Sequence, residues 1–317
     1  MKIIKRIRSK LFTTDPINNW DANILDHLSD LLKTCIFQLL GKLVKDKTLK
    51  VFISNNGWVH LPPEHALPKI KWEHPRYDTV LFKITKNLSK YFNDLHVIDI
   101  GANIGDTAIS MLNYGNAKKV ICIEPCNYFY KILLKNGKDY NLEISNCFIN
   151  DNIDINLQIS DDSRGNAVAE EKSQLSNTTL VRTLDDVFYT IEPRKRKKIK
   201  LIKIDVEGYD INVINSGTKF ILNERPIIFF ELYSFLIKKK TGKKIQDILS
   251  ILKTNEMFNL YLYDGWGTFV DFIDIRKNDD INFINRIFKY SEKTPDIWFD
   301  CIAVQDENLK YFNNFNF

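Results

Sequence analysis

Cysteine is scarce and unpatterned. The five residues Cys35, Cys122, Cys126, Cys147 and Cys301 are odd in number and form no Cys-x-x-Cys pair. That excludes a zinc ribbon and argues against a disulfide framework. Several lie inside apolar runs and read as small buried hydrophobes in a reducing compartment, so a cytoplasmic location is expected. Glycine (12) and proline (9) are too few for a collagen-like or low-complexity chain. No stretch approaches the roughly 20 apolar residues of a membrane helix. Charge of neither sign dominates: 45 Lys and Arg face 40 Asp and Glu, a net of +5 over 317 residues. Nucleic acid would call for a clustered basic face. An HExxH pair and a GxxxxGK[ST] loop are both missing, which excludes a zincin and a P-loop NTPase.

What is present is ordinary for a folded chain. Apolar residues make up 44% and charged residues 27%, so disorder is excluded. The length allows one large α/β domain with additions, or two domains, and a sizeable core. The opening MKIIKRIRSKLF is basic but lacks the continuous apolar stretch of a secretory signal. It reads as a packed or frayed amphipathic helix with at most a peripheral membrane contact. Apolar residues at helical spacing predict a helix over about Asn23–Lys45 and another over about Tyr77–Phe92. Between them, Asn-Asn-Gly and Pro-Pro predict a turn and an extended, irregular segment. That segment carries His65 and His74, which would be base candidates if it folds over a cleft.

From Leu95 short apolar runs alternate with helix-length segments. The runs cover residues 96–100, 119–124, 143–149, 199–205, 226–232, 259–264 and 298–304. Continuous apolar strands separated by helices predict a parallel sheet buried on both faces, hence a doubly wound α/β fold. Residues 152–183 read as a strand, a loop near Asp161–Asn166 and a second short strand. Arg194–Lys198 reads as a solvated loop, and the aromatic tail YFNNFNF as docked on the sheet.

Three motifs carry chemistry. Asp99-Ile-Gly-Ala-Asn-Ile-Gly-Asp-Thr107 follows a strand and opens a helix. Its glycines let the backbone turn sharply and approach a ligand closely. The spacing is GxxxG rather than GxGxxG, and Asp106 sits at the helix start, so the loop suits a ligand without phosphates. Glu124, ending the next strand before Pro125, can accept hydrogen bonds from both hydroxyls of a ribose. Lys203-Ile-Asp-Val-Glu-Gly208 and Glu231 end later strands. Alternation puts Lys203, Asp205 and Glu207 on one side, and buried charges there are costly if idle. Tyr114 and Lys118 match the YxxxK spacing of short-chain dehydrogenases, but Gly115 interrupts the helix and the position is wrong for that chemistry.

VIDIGANIGDTAIS, VICIEP, TLDDVF, LIKIDVEGYDINVINSGTKFI and PIIFFEL, in that order over roughly residues 77–235, resemble the FkbM-type S-adenosylmethionine-dependent methyltransferase family. LPPEHALP and HPRYDTVL resemble segments preceding this domain in some members. YDGWGTF and FDCIAV are weaker matches. Asp210 departs from the glutamate many relatives carry.

The resemblance implies a class I methyltransferase sheet, Rossmann-like, mostly parallel with an antiparallel C-terminal strand. It implies an N-terminal helical or irregular extension over 1–75 and the methyltransferase domain over 76–317. It also implies O-methylation of a hydroxyl on a sugar, glycan or glycolipid, with no nucleic-acid partner. By that analogy Asp99, Gly101, Ala102, Asn103, Gly105, Asp106 and Thr107 surround S-adenosylmethionine, Glu124 holds its ribose, and Pro125 and Cys126 pack on its adenine. Asp205, Glu207 and Glu231 are the candidate bases, with Lys203 orienting an acid or stabilising alkoxide charge. A variant mechanism has Asp205 and Glu231 bind Mg²⁺. A nucleotide-dependent oxidoreductase on the same sheet type, and a non-catalytic binding module, are the competing readings.

Overall fold

The computed structural model describes residues 48–53, 57–62, 65–161, 165, 167–171, 179–313 and 315. Cys35 and the helix expected over Asn23–Lys45 lie outside the described residues. A hairpin of β1 (Leu49–Ile53) and β2 (Gly57–Leu61) leads through α1 (Leu67–Glu73) and α2 (Thr79–Leu88) to β3 (His96–Ile100). Then come α3 (Asp106–Asn113), β4 (Lys119–Ile123), α4 (Asn127–Asn136), β5 (Leu142–Ser145) and β6 (Phe148–Ile149). A second hairpin, β7 (Leu157–Asp161) and β8 (Ala167–Glu171), precedes β9 (Val181–Arg182), α5 (Leu184–Thr190), α6 (Pro193–Arg196) and β10 (Ile199–Ile204). The remainder is α7 (Asp210–Ser216), α8 (Thr218–Glu224), β11 (Ile227–Leu232), α9 (Ser234–Thr241), α10 (Ile245–Thr254), β12 (Asn259–Asp264), β13 (Phe269–Asp274), α11 (Asn278–Ser291) and β14 (Phe299–Val304).

Eight strands form one sheet in the order β13-β12-β14-β11-β10-β3-β4-β5. From β11 to β5 every pair is parallel, and β14 runs antiparallel between β11 and β12. The mixed sheet with an antiparallel C-terminal strand is therefore as expected. Helices cover both faces because the strands are apolar on both. Ile98 and Ile100 of β3 point toward α5, α7, α8 and α10, where Phe188 stacks on Phe220 at 3.5 Å. Leu95 and Val97 point toward α2 and α3. Each fully buried Ile, Leu or Phe contributes about 1.5–3 kcal/mol relative to exposure. Among the described residues no helix is long and apolar enough to cross a membrane.

Several sequence expectations change. The irregular segment after the first turn is the β1–β2 hairpin. Val51, Val59 and Leu61 pack on Ile104, Ile109 and Phe129. The run 143–149 is two strands, because the polar pair Ser145-Asn146 ends β5; β6 then pairs with β9 in a small separate sheet. β13, unanticipated, pairs antiparallel with β12 at the sheet's flank. Arg194–Lys198 is largely one helical turn with Pro193 at its start, where the missing N–H costs nothing. The tail docks as expected: Phe312 is buried and stacks on Tyr261. Cys122, Cys126, Cys147 and Cys301 are buried free thiols.

Candidate active site

Strand order reverses between β3 and β10, since the chain winds outward through β4 and β5 and then returns to the other side of β3. Ligands sit at such switch points, at the carboxyl ends of the strands. A cavity of about 510 Å³ lies there.

Gly101 ends β3 at φ +77°, and a Cβ on it would come within 1.9 Å of the Asp205 carbonyl oxygen. Only glycine lets the ends of β3 and β10 approach so closely. Asn103 is also left-handed, at φ 51°. The Gly101 and Ala102 N–H groups bond the Ile123 carbonyl, which leaves the Asn103 N–H to Glu124, itself 2% exposed. Its Oε2 accepts from the Asn103 N–H at 2.7 Å and its Oε1 from the Cys126 N–H at 2.7 Å. Burial pushes its carboxyl up to about 7, against the pull of those two N–H groups. Burial, then the Asp78 carboxylate, pushes Asp106 up to about 6, with Lys71 and Lys203 opposing. Asn103 donates its side-chain amide to the Gly165 carbonyl, so the β7–β8 hairpin touches the loop. Asn103 Oδ1 is buried and receives no hydrogen bond from the described residues.

The residues expected at the cofactor divide into two groups. Gly101, Ala102, Asn103, Asp106, Thr107, Glu124 and Pro125 line the cavity. Asp99, Gly105 and Cys126 stand behind it. Gly105 caps α3 at φ +87°, against the Leu133 side chain. Asp99 is fully buried and holds the sheet together. It accepts from Thr107 Oγ1 at 2.8 Å and pairs with Lys203 Nζ at 3.1 Å, directly across the β3–β10 register.

Lys203 also donates to the Gly101 carbonyl at 2.9 Å and lies 3.4 Å from Asp205 Oδ2. Burial alone would lower its ammonium, but Asp99 and Asp205 more than offset this and keep it charged. Asp205, Glu207 and Glu231 line the same cavity. Glu207 is held at φ 53° and Gly208 at φ +93°, where a Cβ would meet the Leu236 carbonyl carbon at 2.7 Å. A non-glycine residue held in this region stores strain of the kind found at functional sites. Glu231 is pushed well above the ordinary carboxylate range, first by burial and then by Asp205, Asp210, Glu207 and Asp300. Burial and Asp205 do the same to Asp210, which accepts from the Gly208 N–H at 3.2 Å.

The metal variant finds no support. The Lys203 ammonium sits against Asp205, and burial with the neighbouring acids disfavours the ionised form of Glu231, whereas Mg²⁺ wants ionised oxygens. Among the described residues no group of three or more His, Cys, Asp or Glu is placed to hold a metal ion.

Sequence reasoning missed the far wall. Tyr77, Asp78, Tyr233, Trp266 and Trp298 also line the cavity. Tyr77, Asp78, Trp266 and Trp298 fall within or beside segments noted for resemblance alone, HPRYDTVL, YDGWGTF and FDCIAV. Of the two histidines before the domain, His65 lines the cavity and accepts from the Leu67 N–H at 3.2 Å. His74 stacks on Trp266.

No curated protein matches the sequence. Among solved structures, the chain is similar to an FkbM methyltransferase from Methylobacillus flagellatus KT, at 16% identity over 79% of this chain and 58% of that one, TM-score 0.37. It is similar to an O-methyltransferase from Bacillus cereus in complex with SAH, at 11% identity over 96% and 97% of the two chains, TM-score 0.39. A third is M. jannaschii TYW2 in complex with AdoMet, at 14% identity over 82% and 86%, TM-score 0.41. The model of the methyltransferase FkbM domain matches residues 99–260, just over half of the sequence, from the buried aspartate of β3 into β12, and the chain belongs to that family.

Proposed function

We propose that this chain is an S-adenosylmethionine-dependent O-methyltransferase acting on a hydroxyl of a sugar or glycan. The observation that carries the reading is Glu124, whose carboxylate is wired to the turn after β3 at the rim of a cavity that also holds the acids of β10 and β11. The site fits the methyl donor. The glycine turn lets β3 and β10 close up beside the cavity, and among the described residues Asn103 Oδ1 is a buried acceptor without a donor. Each Glu124 oxygen has a lone pair left after its backbone contact, enough for two ribose hydroxyls. When bound, S-adenosylmethionine supplies a methyl carbon that parts from its sulfur, leaving the electron pair behind, as the acceptor oxygen bonds to it.

The protein's part is positioning and proton transfer. Glu207 takes the hydroxyl proton. Asp205, held by Lys203, and Glu231 orient the acceptor. An acid-lined mouth disfavours a phosphate backbone, so no nucleic-acid partner is proposed. A cytoplasmic location accords with the four buried thiols.

The test is calorimetry with S-adenosylhomocysteine. Wild-type chain binds it; Glu124→Ala removes two charge-assisted hydrogen bonds, about 1.5–3 kcal/mol each, and weakens binding by about 10²–10⁴-fold. Absence of binding heat on folded wild-type protein would sink the proposal.

The same carboxyl sets opposite pH trends. Its folded value of about 7 lies above its ordinary one. Its contribution to ligand-free stability is therefore full below about pH 4.5 and is lost as pH rises through about 7. Ribose hydroxyls bond the ionised form, so affinity climbs over that upper range. Glu124→Gln flattens both trends, read by thermal shift and calorimetry at matched pH.

A further inference from the structure

The aromatic wall of the cavity has no role in holding the donor or moving a proton. It is nonetheless assembled from four distant segments. Trp266 and Trp298 meet edge to face at 4.8 Å, Tyr77 lies 6.5 Å from Trp266, and Tyr233 lies 6.1 Å from Trp298. The turn between β12 and β13 is shaped for this meeting. Asp264 Oδ1 accepts from the Trp266 N–H at 3.0 Å and the Thr268 N–H at 2.8 Å. A Cβ on Gly265 would strike the Trp298 ring at 2.2 Å, and one on Gly267, at φ +87°, would meet the Arg76 carbonyl oxygen at 2.7 Å. The two glycines of the Asp-Gly-Trp-Gly run are what let three of these segments touch.

The acids form the adjoining wall. Glu231 and Asp300 are direct partners across the β11–β14 pair, so their side chains share one face of the sheet. Asp205 and Glu207 approach from β10 and the turn beyond it. The lysines lining the cavity are already committed. Lys203 is pinned by Asp99, Asp205 and the Gly101 carbonyl. Lys240 donates to the Ala169 carbonyl at 2.9 Å, and Lys239 lies over the Phe235 ring. Aromatic faces and carboxylates together attract a cation, more strongly as water is excluded. Flat rings also match the C–H face of a saturated ring.

We infer that the acceptor is an amino sugar, its ring against Trp266 and Trp298 and its ammonium toward Glu231, which lines the cavity and has Asp300 beside it on the next strand. This inference rests on the methyltransferase reading only for which side of the cavity is left to the acceptor. Anionic sugars are rejected by the same acids.

Ligand-observed NMR titration tests it on the full chain, with and without saturating S-adenosylhomocysteine, whose sulfur is neutral. The probes are methyl glycosides of glucosamine and galactosamine, their N-acetyl forms, methyl glucoside, methyl glucuronide and ethanolamine. At least one amino glycoside binds about tenfold more tightly than its N-acetyl form, glucuronide does not bind, and ethanolamine binds more weakly than the amino glycoside. Asp300→Asn narrows the preference to about threefold with S-adenosylhomocysteine affinity intact. Trp298→Ala weakens every glycoside, and Trp298→Phe, the milder change, does so in part. Equal binding of amine and N-acetyl forms, equal binding of ethanolamine, or no glycoside binding overturns the inference. Loss of S-adenosylhomocysteine binding alone, with the amine preference kept, overturns the donor reading instead.

Discussion

Glu207→Gln is expected to lower turnover by about 10²–10⁴-fold, the usual contribution of a positioned general base, while S-adenosylhomocysteine binds as to wild type. The expectation follows from what surrounds each acid. Asp205 faces the Lys203 ammonium at 3.4 Å, which commits one of its oxygens to that contact. Glu231 is raised by burial and by four neighbouring carboxyls, which disfavours the ionised form a base needs. Glu207 remains, fixed at φ 53° in a turn that Gly208 presses against α9. Glutamine keeps the shape and the backbone strain and removes only the basicity. Glu231→Gln keeps a polar group of the same shape beside the acceptor and costs far less. Single-turnover methyl transfer to the best-binding glycoside, beside calorimetry of donor-product binding, separates the two. Equal losses from the two variants would remove Glu207 from the base role.

Lys203→Met is expected to cost stability rather than chemistry alone. Asp99 has no exposed surface, and its counter-charge comes from across the β3–β10 pair. Breaking a buried pair from one side costs about 3–5 kcal/mol, because the remaining charge is stranded. The thermal midpoint should fall by about 10 °C. Adding Asp99→Asn to the same chain removes the stranded charge while Thr107 Oγ1 can still bond the side chain, and most of the loss is recovered. Two independent, additive losses in thermal denaturation would show that the pair does not act as a unit.

The side of the cavity proposed for the donor was legible in the sequence because it is local. Asp99 to Cys126 is one strand–turn–helix–strand unit, and parallel strands announce themselves as unbroken apolar runs. Glycine spacing and the strand-end Glu124 then fall where the fold puts ligands. The Lys203–Glu207 acids were legible for the same reason. Asp99 was harder: alternation shows which way it points but not that Lys203 claims it. The aromatic wall was out of reach. Tyr77, Trp266 and Trp298 lie in segments far apart in the chain, and only the close contacts at Gly265 and Gly267 bring them together. β13 escaped notice because its residues Phe269–Asp271 are mostly outward-facing, so no buried run marks it.

That flanking strand has a cost of its own. Phe269, Val270 and Phe272 are each more than a third exposed, on a strand whose outer side pairs with no described partner. Such an edge invites another chain to add itself by backbone pairing. Asp271 interrupts the aromatic and aliphatic run at its middle, and a lone charge there is the kind of gatekeeper that keeps edges from growing into fibrils. Asp271, which takes no part in the proposed chemistry, thus guards a sheet edge where apolar side chains lie open.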